Sequence, residues 1–163
     1  MQRTAAVAVG SNLGDRASTI TQGIDLLAET TGVVLLAKST LYETAPVGGP
    51  AQGPFLNGAI LLETTLEPLV LLRRLHEIER AFGRMRGDGV RNGPRTLDLD
   101  LLLHGDLILQ TEAIELPHPR LHERAFVLDP LVEIAPRLVH PILTHTVRQL
   151  HEALQPPAEE PIS

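Results

Sequence analysis

Two aspartates interrupt a Leu-rich run in the segment NGPRTLDLDLLLHGD, residues 92 to 106. Side chains of a β-strand alternate between two faces, so Asp98 and Asp100 are expected to share a face that continues with Leu102 and His104. The opposite, core-facing side is expected to carry Leu97, Leu99, Leu101 and Leu103. Two neighbouring carboxylates repel each other and need solvent, basic side chains or a metal ion. A solvated strand end is the alternative interpretation.

A segment rich in glycine and arginine, GRMRGDGVRNGPR, directly precedes the aspartates at residues 83 to 95. Its glycines let the backbone approach a ligand closely, and its arginines supply forked donors that match phosphate oxygens. Mg²⁺ commonly takes one or two carboxylates and completes its shell with water and substrate phosphates. Arginines beside a carboxylate pair therefore indicate a Mg²⁺-bound polyphosphate. For this segment taken alone, a solvated surface loop is the alternative.

Aromatic side chains are so few that their positions are informative. The chain contains Tyr42, Phe55, Phe82 and Phe126 and no tryptophan. Phe82 fits the core face of a predicted helix, whereas Phe55 and Asn57 lie two apart on a predicted strand and share a face. A flat apolar ring beside an amide suits a planar heterocycle, with Phe126 as a candidate for the other side of a stack. The alternative places Phe55 in the core and Asn57 at a strand edge.

Length and composition limit the class of protein. The chain has 163 residues, of which 43% are apolar, which suits a single domain over residues 1 to 155 with a disordered tail at 156 to 163. The absence of cysteine excludes disulfides and thiolate metal sites. The net charge of -6 argues against a general nucleic-acid binder. No signal peptide or membrane-length apolar run is seen, so a cytoplasmic protein is expected.

Alternating helix and strand patterns predict a mixed α/β chain without an internal repeat. Besides the strand with the aspartates, strands are predicted at residues 4 to 10, 33 to 44 and 55 to 64, with a short neighbouring strand at 106 to 112. Helices are predicted at residues 17 to 29, 67 to 82 and 146 to 154, with short helical pieces between 120 and 136. Asp15 is expected to cap the first helix, and Pro68 suits the first turn of the second.

The motifs, in this order, resemble the 6-hydroxymethyl-7,8-dihydropterin pyrophosphokinase family of folate biosynthesis. The resemblance spans nearly the whole chain and rests on VGSNLGD, YETAPVG followed by FLN, GRMRGDGVRNGPRTLDLDLLL, and LPHPRLHERAFVLDPLVEIAP. It implies a ferredoxin-like α+β fold, in which helices pack on an antiparallel sheet. It also implies transfer of pyrophosphate from ATP to the hydroxymethyl oxygen of the pterin, with AMP as the second product and two Mg²⁺ ions as cofactors.

The resemblance further implies roles for individual positions. Asp98 and Asp100 would hold the Mg²⁺ ions, and Arg84 and Arg95 would join them as catalytic residues. Pterin-binding positions match Thr44, Val47, Phe55, Asn57, Asn92 and Phe126. ATP-binding positions match His76, Glu79, Arg84, Arg86, Arg91, Leu101, His118 and Arg124. A solvated helix face is the alternative for His76 and Glu79, and a turn cap is the alternative for His118.

The chain departs from the family pattern at Ala113 and Pro119, where other members offer polar or aromatic contacts to the nucleotide. No residue stands out as a general base, so Mg²⁺ and arginines are expected to stabilise charge on the transferring oxygens. Residues 83 to 95 are expected to close over ATP. The expected partners are the two small substrates, without nucleic acid or membrane, and the protein is expected to be a monomer.

Two other functional classes fit parts of the pattern. An ordinary phosphotransferase would use the same carboxylates and arginines but release ADP. A ferredoxin-like nucleic-acid-binding module would have no catalysis, although sparse aromatics and the acidic charge weigh against it. The nucleotide product, AMP or ADP or none, distinguishes the three classes.

Overall fold

A computed structural model of the protein describes residues 2 to 12, 15 to 44, 55 to 83 and 97 to 154. The strands are β1 (Arg3–Ser11), β2 (Val33–Lys38), β3 (Tyr42–Thr44), β4 (Phe55–Thr64), β5 (Asp98–His104), β6 (Leu109–Gln110) and β7 (Glu115–Leu116). The helices are α1 (Arg16–Ala28), α2 (Pro68–Ala81), α3 (Ala125–Ile134) and α4 (Val147–Leu154), and a 3-10 turn covers Leu121–Glu123. None of the helices in these ranges is long and apolar enough to cross a bilayer. The tail predicted to be disordered, residues 156 to 163, lies outside the described residues.

The main sheet is antiparallel and has the strand order β2-β4-β1-β5, with β3 also pairing with β4. The first helix connects β1 to β2, and the second connects β4 to β5. This connectivity and strand order are those of a ferredoxin-like α+β fold, so the predicted fold class is confirmed. β5 forms one edge of the sheet, and β2 and β3, which pair with successive parts of β4, form the other. β6 pairs with β7 in a separate hairpin.

Helices cover both faces of the sheet and bury a core on each. The first core lies under α1 and α2 and contains Ile20, Ile24, Leu27, Leu71, Leu75 and Ile78. The second core lies under α3 and α4 and includes Ala6, Ala59, Leu102, Leu128, Leu131 and Leu150. The predicted cap of α1 is also present, since Asp15 Oδ1 accepts a hydrogen bond from Ser18 N at 3.2 Å. Pro68 begins α2, where its missing N–H costs nothing.

A β-bulge changes the predicted alternation along β5. Val7 of β1 pairs with Leu101, but the preceding residue Ala6 pairs with Leu103, which leaves Leu102 as the extra residue. Leu97, Leu99 and Leu101 lie in the first core as predicted, whereas Leu103 joins Leu102 in the second core. His104 pairs with Ala5 of the first core. The predicted faces of Leu103 and His104 were therefore wrong, because the bulge reverses the alternation after Leu101.

Two further strand predictions need correction. The strand predicted at residues 33 to 44 is divided into β2 and β3, and between them Ser39 Oγ accepts a hydrogen bond from Ala59 N at 2.9 Å. A side chain thus interrupts the regular backbone ladder beside β4. The short strand predicted at 106 to 112 shrinks to β6, which pairs with β7 and not with β5.

Candidate active site

The two aspartates of β5 face the side of the sheet covered by α3 and α4. Their neighbours Leu97, Leu99 and Leu101 are buried in the first core, so alternation directs Asp98 and Asp100 to the opposite face. Both aspartates are partly exposed. Their position before the bulge preserves the spacing that the sequence predicts. The strand therefore presents two carboxylates on one partly solvated face.

Pairing across three strands sets an amide on one side of a glycine and a carboxylate on the other. Gly10 of β1 pairs with Asn57 of β4 and with Asp98 of β5, and directly paired residues project from the same face. Two strand spacings separate the Cα atoms of Asn57 and Asp98 by about 10 Å. A Cβ at Gly10 would lie 3.0 Å from Asn57 Oδ1. Because Gly10 has no side chain, it leaves space between the side chains of Asn57 and Asp98.

The next paired row has the same character. Ala8 of β1 lies between Ala59 of β4 and Asp100 of β5. Small residues consequently lie beside both aspartates. Ala59 is buried in the second core, whereas Ala8 is only partly buried. The sequence TAAVAVG shows this run of small residues, but only the strand register reveals that they lie opposite the aspartates.

Three of the predicted pterin-binding residues meet at one end of β4. Thr44 pairs with Phe55, and Asn57 Nδ2 donates a hydrogen bond to Thr44 Oγ1 at 2.5 Å. Phe55 and Asn57 are both half-buried, neither fully in the core nor fully exposed. The hydrogen bond fixes the amide and leaves Asn57 Oδ1 directed toward Gly10. A ring-shaped ligand over Gly10 would meet both an aromatic surface and an oriented amide.

Phe126 lies in the first turn of α3, the helix that packs against β4. Its ring is partly buried against the second core, and the guanidinium carbon of Arg124 lies 5.6 Å from the ring centroid. This distance is within the range of a cation–π contact. The structure thereby places a predicted phosphate ligand, Arg124, beside a predicted pterin ligand, Phe126.

His118 lies close enough to Arg124 and Asp98 for their charges to shift its pKa. Burial lowers the pKa of His118, the positive charges of Arg124 and Arg120 lower it further, and Asp98 partly opposes these effects. His118 Nδ1 accepts a hydrogen bond from Arg120 N at 3.3 Å, so the ring caps a turn as the alternative interpretation predicted. In that tautomer Nε2 carries the proton and is the donor of the ring. His118 N also donates to Leu102 O at 2.8 Å, which fixes the turn to β5.

Glu79 of α2 does not lie on a solvated helix face, and that alternative is wrong for this residue. Its side chain is only 1% exposed, and Oε2 accepts a hydrogen bond from Leu99 N at 2.8 Å. Because β5 is an edge strand, Leu99 N–H points away from β1 and a side chain can satisfy it. His76, one helical turn earlier, is half-exposed. Glu79 therefore fixes the backbone between Asp98 and Asp100.

Leu101 is the predicted ATP-binding residue that lies on β5. Its side chain is 5% exposed and lies in the first core, on the face opposite the aspartates. By the alternation of the ladder, its backbone N–H and C=O point to the same outer edge as those of Leu99. Any contact between Leu101 and a nucleotide must therefore use the backbone.

Several predicted site residues fall outside the part of the chain that the structure describes. They are Val47, Arg84, Arg86, Arg91, Asn92 and Arg95. Most of the segment predicted to close over ATP, residues 83 to 95, lies there too. Their roles, and that closure, stay predictions.

The donor set of the aspartates suits a hard divalent cation. Asp98 and Asp100 offer carboxylate oxygens from positions two apart on one strand, which are ligands that Mg²⁺ prefers. No cluster of three or more acidic, histidine or cysteine side chains able to hold a metal occurs within the described residues. Two carboxylates completed by water and substrate phosphates match Mg²⁺ better than a metal held by protein ligands alone.

Comparison with known proteins gives consistent matches. The family model described as 7,8-dihydro-6-hydroxymethylpterin-pyrophosphokinase matches residues 6–136. The chain is 46% identical over 134 residues to the 2-amino-4-hydroxy-6-hydroxymethyldihydropteridine pyrophosphokinase of Bacillus subtilis, covering 82% of this chain and 79% of the relative. It is 42% identical over 152 residues to the protein of that name from Methylorubrum extorquens, covering 93% and 94% of the two chains.

Solved structures share the fold. A Plasmodium falciparum HPPK-DHPS chain crystallised with pterin and p-hydroxybenzoate aligns over 94% of this chain with a TM-score of 0.73 and 16% identity. The present chain spans only 42% of that larger chain. At this identity the likeness supports the fold, whereas the sequence matches define the relationship. The chain belongs to the 7,8-dihydro-6-hydroxymethylpterin-pyrophosphokinase family.

Proposed function

We propose that this chain transfers pyrophosphate from ATP to 6-hydroxymethyl-7,8-dihydropterin in folate biosynthesis, the activity for which its relatives are named. The hydroxymethyl oxygen attacks the β-phosphorus of ATP and forms a new P–O bond. The bond from the β-phosphorus to the oxygen that bridges it to the α-phosphorus breaks, AMP leaves, and the hydroxyl proton is released. The single observation that carries the proposal is the pairing that sets Asn57 and Asp98 on either side of Gly10.

The pterin binds at the Asn57 end of this row. Asn57 and Thr44 supply polar groups for the edge of the ring, and their mutual hydrogen bond keeps the amide oriented before the substrate arrives. Phe55 and Phe126 stack on the two faces of the ring, with Val47 and Asn92 as further contacts. Gly10 lets the hydroxymethyl group approach the aspartates, because a side chain there would crowd Asn57.

The triphosphate binds at the aspartate end. Asp98 and Asp100 hold two Mg²⁺ ions, which when bound supply Lewis-acid stabilisation of the phosphate oxygens. His118, neutral because its pKa is lowered, donates from Nε2, and Arg124 adds a positive charge beside it. Four arginines complete the phosphate ligands, namely Arg84, Arg86, Arg91 and Arg95. His118 and Arg124 thus supply a hydrogen-bond donor and a positive charge that are already in place for the charge on the transferring oxygens.

The nucleoside lies along the outer edge of β5. Leu101 offers its backbone groups there, and His76 and Glu79 approach the same edge from α2. Glu79 is buried and accepts the hydrogen bond of Leu99 N, so it acts by holding the edge of β5 along which the nucleoside lies. Ala113 and Pro119 offer no polar side chain to the nucleotide, so affinity must come mainly from phosphate and backbone contacts.

The test is the identity of the nucleotide product. Purified protein incubated with ATP, Mg²⁺ and 6-hydroxymethyl-7,8-dihydropterin should form AMP and pterin diphosphate in equal amounts. Without the pterin, AMP should not accumulate. If ADP is the main product, the protein transfers a single phosphate and the pyrophosphokinase proposal is wrong. If no nucleotide is consumed with both substrates present, the site does not perform this chemistry.

A further inference from the structure

A carboxylate at the far end of α3 is bound to the chain segment that leads into β3. Glu133 Oε2 accepts hydrogen bonds from Thr40 N at 2.9 Å and from Thr40 Oγ1 at 3.0 Å. Glu133 Oε1 accepts a hydrogen bond from the hydroxyl of Tyr42 at 2.5 Å. Both oxygens of one side chain are therefore engaged with residues more than 90 positions earlier in the sequence. We call this three-residue contact the β3 tether.

The two elements that the tether joins carry opposite parts of the proposed pterin site. β3 is a three-residue strand that pairs with β4, where Tyr42 lies opposite Asn57 and Thr44 opposite Phe55. α3 begins with the turn that carries Phe126. A short strand at the margin of a sheet has few ladder hydrogen bonds to fix it, so side-chain contacts matter more for its position. The tether supplies three such contacts from the helix.

The protonation states suit this arrangement. Hydrogen bonds from Tyr42 and Thr40 lower the pKa of Glu133, and the hydrogen bond to Glu133 raises the pKa of Tyr42. Glu133 is thus ionised and Tyr42 protonated around neutral pH. Donors and acceptor are matched at all three contacts, and two of the three donors belong to side chains on the strand segment itself.

We propose that Glu133 is a positioning residue for the pterin, acting through Thr40 and Tyr42 to hold β3 and β4 at a fixed separation from α3. It does not touch the substrate. Its effect reaches the ligand through Thr44, which is bound to Asn57, on one side and through Phe126 on the other. The inference rests on the proposed function, because it assumes that the pterin binds between these elements.

The experiment measures steady-state KM for each substrate in tether variants. Glu133→Ala should raise KM for the pterin about tenfold, since it removes the acceptor of three hydrogen bonds, while KM for ATP stays unchanged. Tyr42→Phe removes one contact only and should raise KM for the pterin about threefold. The double variant should be no worse than Glu133→Ala alone, because the tyrosine acts through the carboxylate.

The control is Glu43→Gln on the same strand. Glu43 forms a surface ion pair with Arg16 at 3.6 Å, which does not involve α3, so this variant should leave both KM values unchanged. Unchanged KM for the pterin in both Glu133→Ala and Tyr42→Phe overturns the positioning role, even if these variants melt earlier. An equal rise of both KM values also overturns it. Wild-type protein that forms no AMP would instead refute the proposed function, so the two failures are distinguishable.

Discussion

Polar side chains at the two ends of the central sheet differ in their exposure to solvent. At one end, Asn57, Asp98 and Asp100 are partly exposed above Gly10 and Ala8. At the other end, His104 is only 1% exposed and its Nε2 meets Leu66 O at 2.8 Å, as a donor if the proton lies on Nε2. The first end keeps its polar groups accessible to ligands, whereas the second uses its polar group to fasten β5 to the start of α2. On the proposed function, the first end carries residues for chemistry and the second a residue for stability, so we call them the functional end and the stabilising end.

An open space does not by itself identify the functional end. A cavity of about 560 Å³ lies at the His104 end, lined by Thr30, Thr31, Leu66, Val70, Arg73, Arg74 and Glu77. Of its two arginines, Arg74 already has protein partners, since Nε donates to Thr30 Oγ1 at 2.9 Å and the guanidinium pairs with Glu77 at 3.9 Å. Positioned donors and carboxylates identify the site better than volume does.

Removing a carboxylate at the functional end should have the largest effect. Asp98→Ala or Asp100→Ala should lower kcat about 10²- to 10³-fold, as expected when a preorganised electrostatic contact is lost. The melting temperature should stay level or rise slightly, because two adjacent like charges repel each other in metal-free protein. Turnover and thermal melts decide this, with Asp106→Ala in the exposed turn after β5 as the matched control. Unfolded variants, or folded ones with normal turnover, would contradict the assignment.

The opposite signature is expected at the stabilising end. His104→Ala should lower the free energy of unfolding by about 2 to 4 kcal/mol, because it leaves a cavity and a partnerless carbonyl at Leu66. Turnover per folded molecule should match wild type. Urea denaturation, followed by kinetics well below the transition, measures both quantities. A His104→Ala variant that is as stable as wild type but has a low kcat would contradict this prediction.

A smaller effect is expected at Gly10, where little space separates the backbone from the side chain of Asn57. In Gly10→Ala the new Cβ lies 3.0 Å from Asn57 Oδ1, so the amide must move and affinity for the pterin should fall about tenfold. The control is Gly23→Ala, where the new Cβ meets Leu97 in the first core and should change stability but not KM. If Gly10→Ala and wild type have equal KM values for the pterin, the space beside Asn57 can accommodate a methyl group and the prediction is wrong.

Acidification should weaken the fold through its buried histidines. Burial is the main cause that lowers the pKa values of His104, His118 and His140. A lowered folded-state pKa favours the neutral ring, so the stabilisation is complete above the ordinary value of 6.5 and is lost as pH falls below it. The free energy of unfolding, measured in urea at a series of pH values, should therefore decrease below about pH 6.5.

A variant of His140 sharpens this prediction. His140 Nδ1 accepts hydrogen bonds from Ile142 N at 3.2 Å and Leu143 N at 3.0 Å, and protonation would remove that acceptor. His140→Asn supplies an amide oxygen in place of Nδ1 and does not titrate, so its stability should decrease less below pH 6.5. Exposed His145→Gln is the control and should follow wild type. If the free energy of unfolding of His140→Asn decreases at acidic pH as much as that of wild type, groups other than His140 cause the decrease.

The sequence predicted features that depend on local patterns. The bounds of β4, the cap Asp15 and the position of Pro68 at the start of α2 follow from strand runs, cap chemistry and the fixed backbone of proline. The face of Asp98 and Asp100 was predicted as well, because they precede the bulge. These features require no knowledge of which strands pair.

Features that depend on pairing could not be predicted. The reversed faces of Leu103 and His104 arise from a bulge against β1, and the burial of Glu79 arises because β5 lies at an edge next to α2. Gly10 becomes part of the site only through its register with Asn57 and Asp98. The tether at Glu133 joins residues far apart in the chain, and no spacing in the sequence indicates it.

The most direct test of the account is a crystal structure with 6-hydroxymethyl-7,8-dihydropterin, Mg²⁺ and a nonhydrolysable ATP analogue. It should place the metal ions on Asp98 and Asp100, and the pterin ring between Phe55 and Phe126 with its edge on Asn57 and its hydroxymethyl group above Gly10. Ligands bound instead in the cavity near Arg74, or metal ions held away from both aspartates, would contradict the division of the sheet into a functional and a stabilising end.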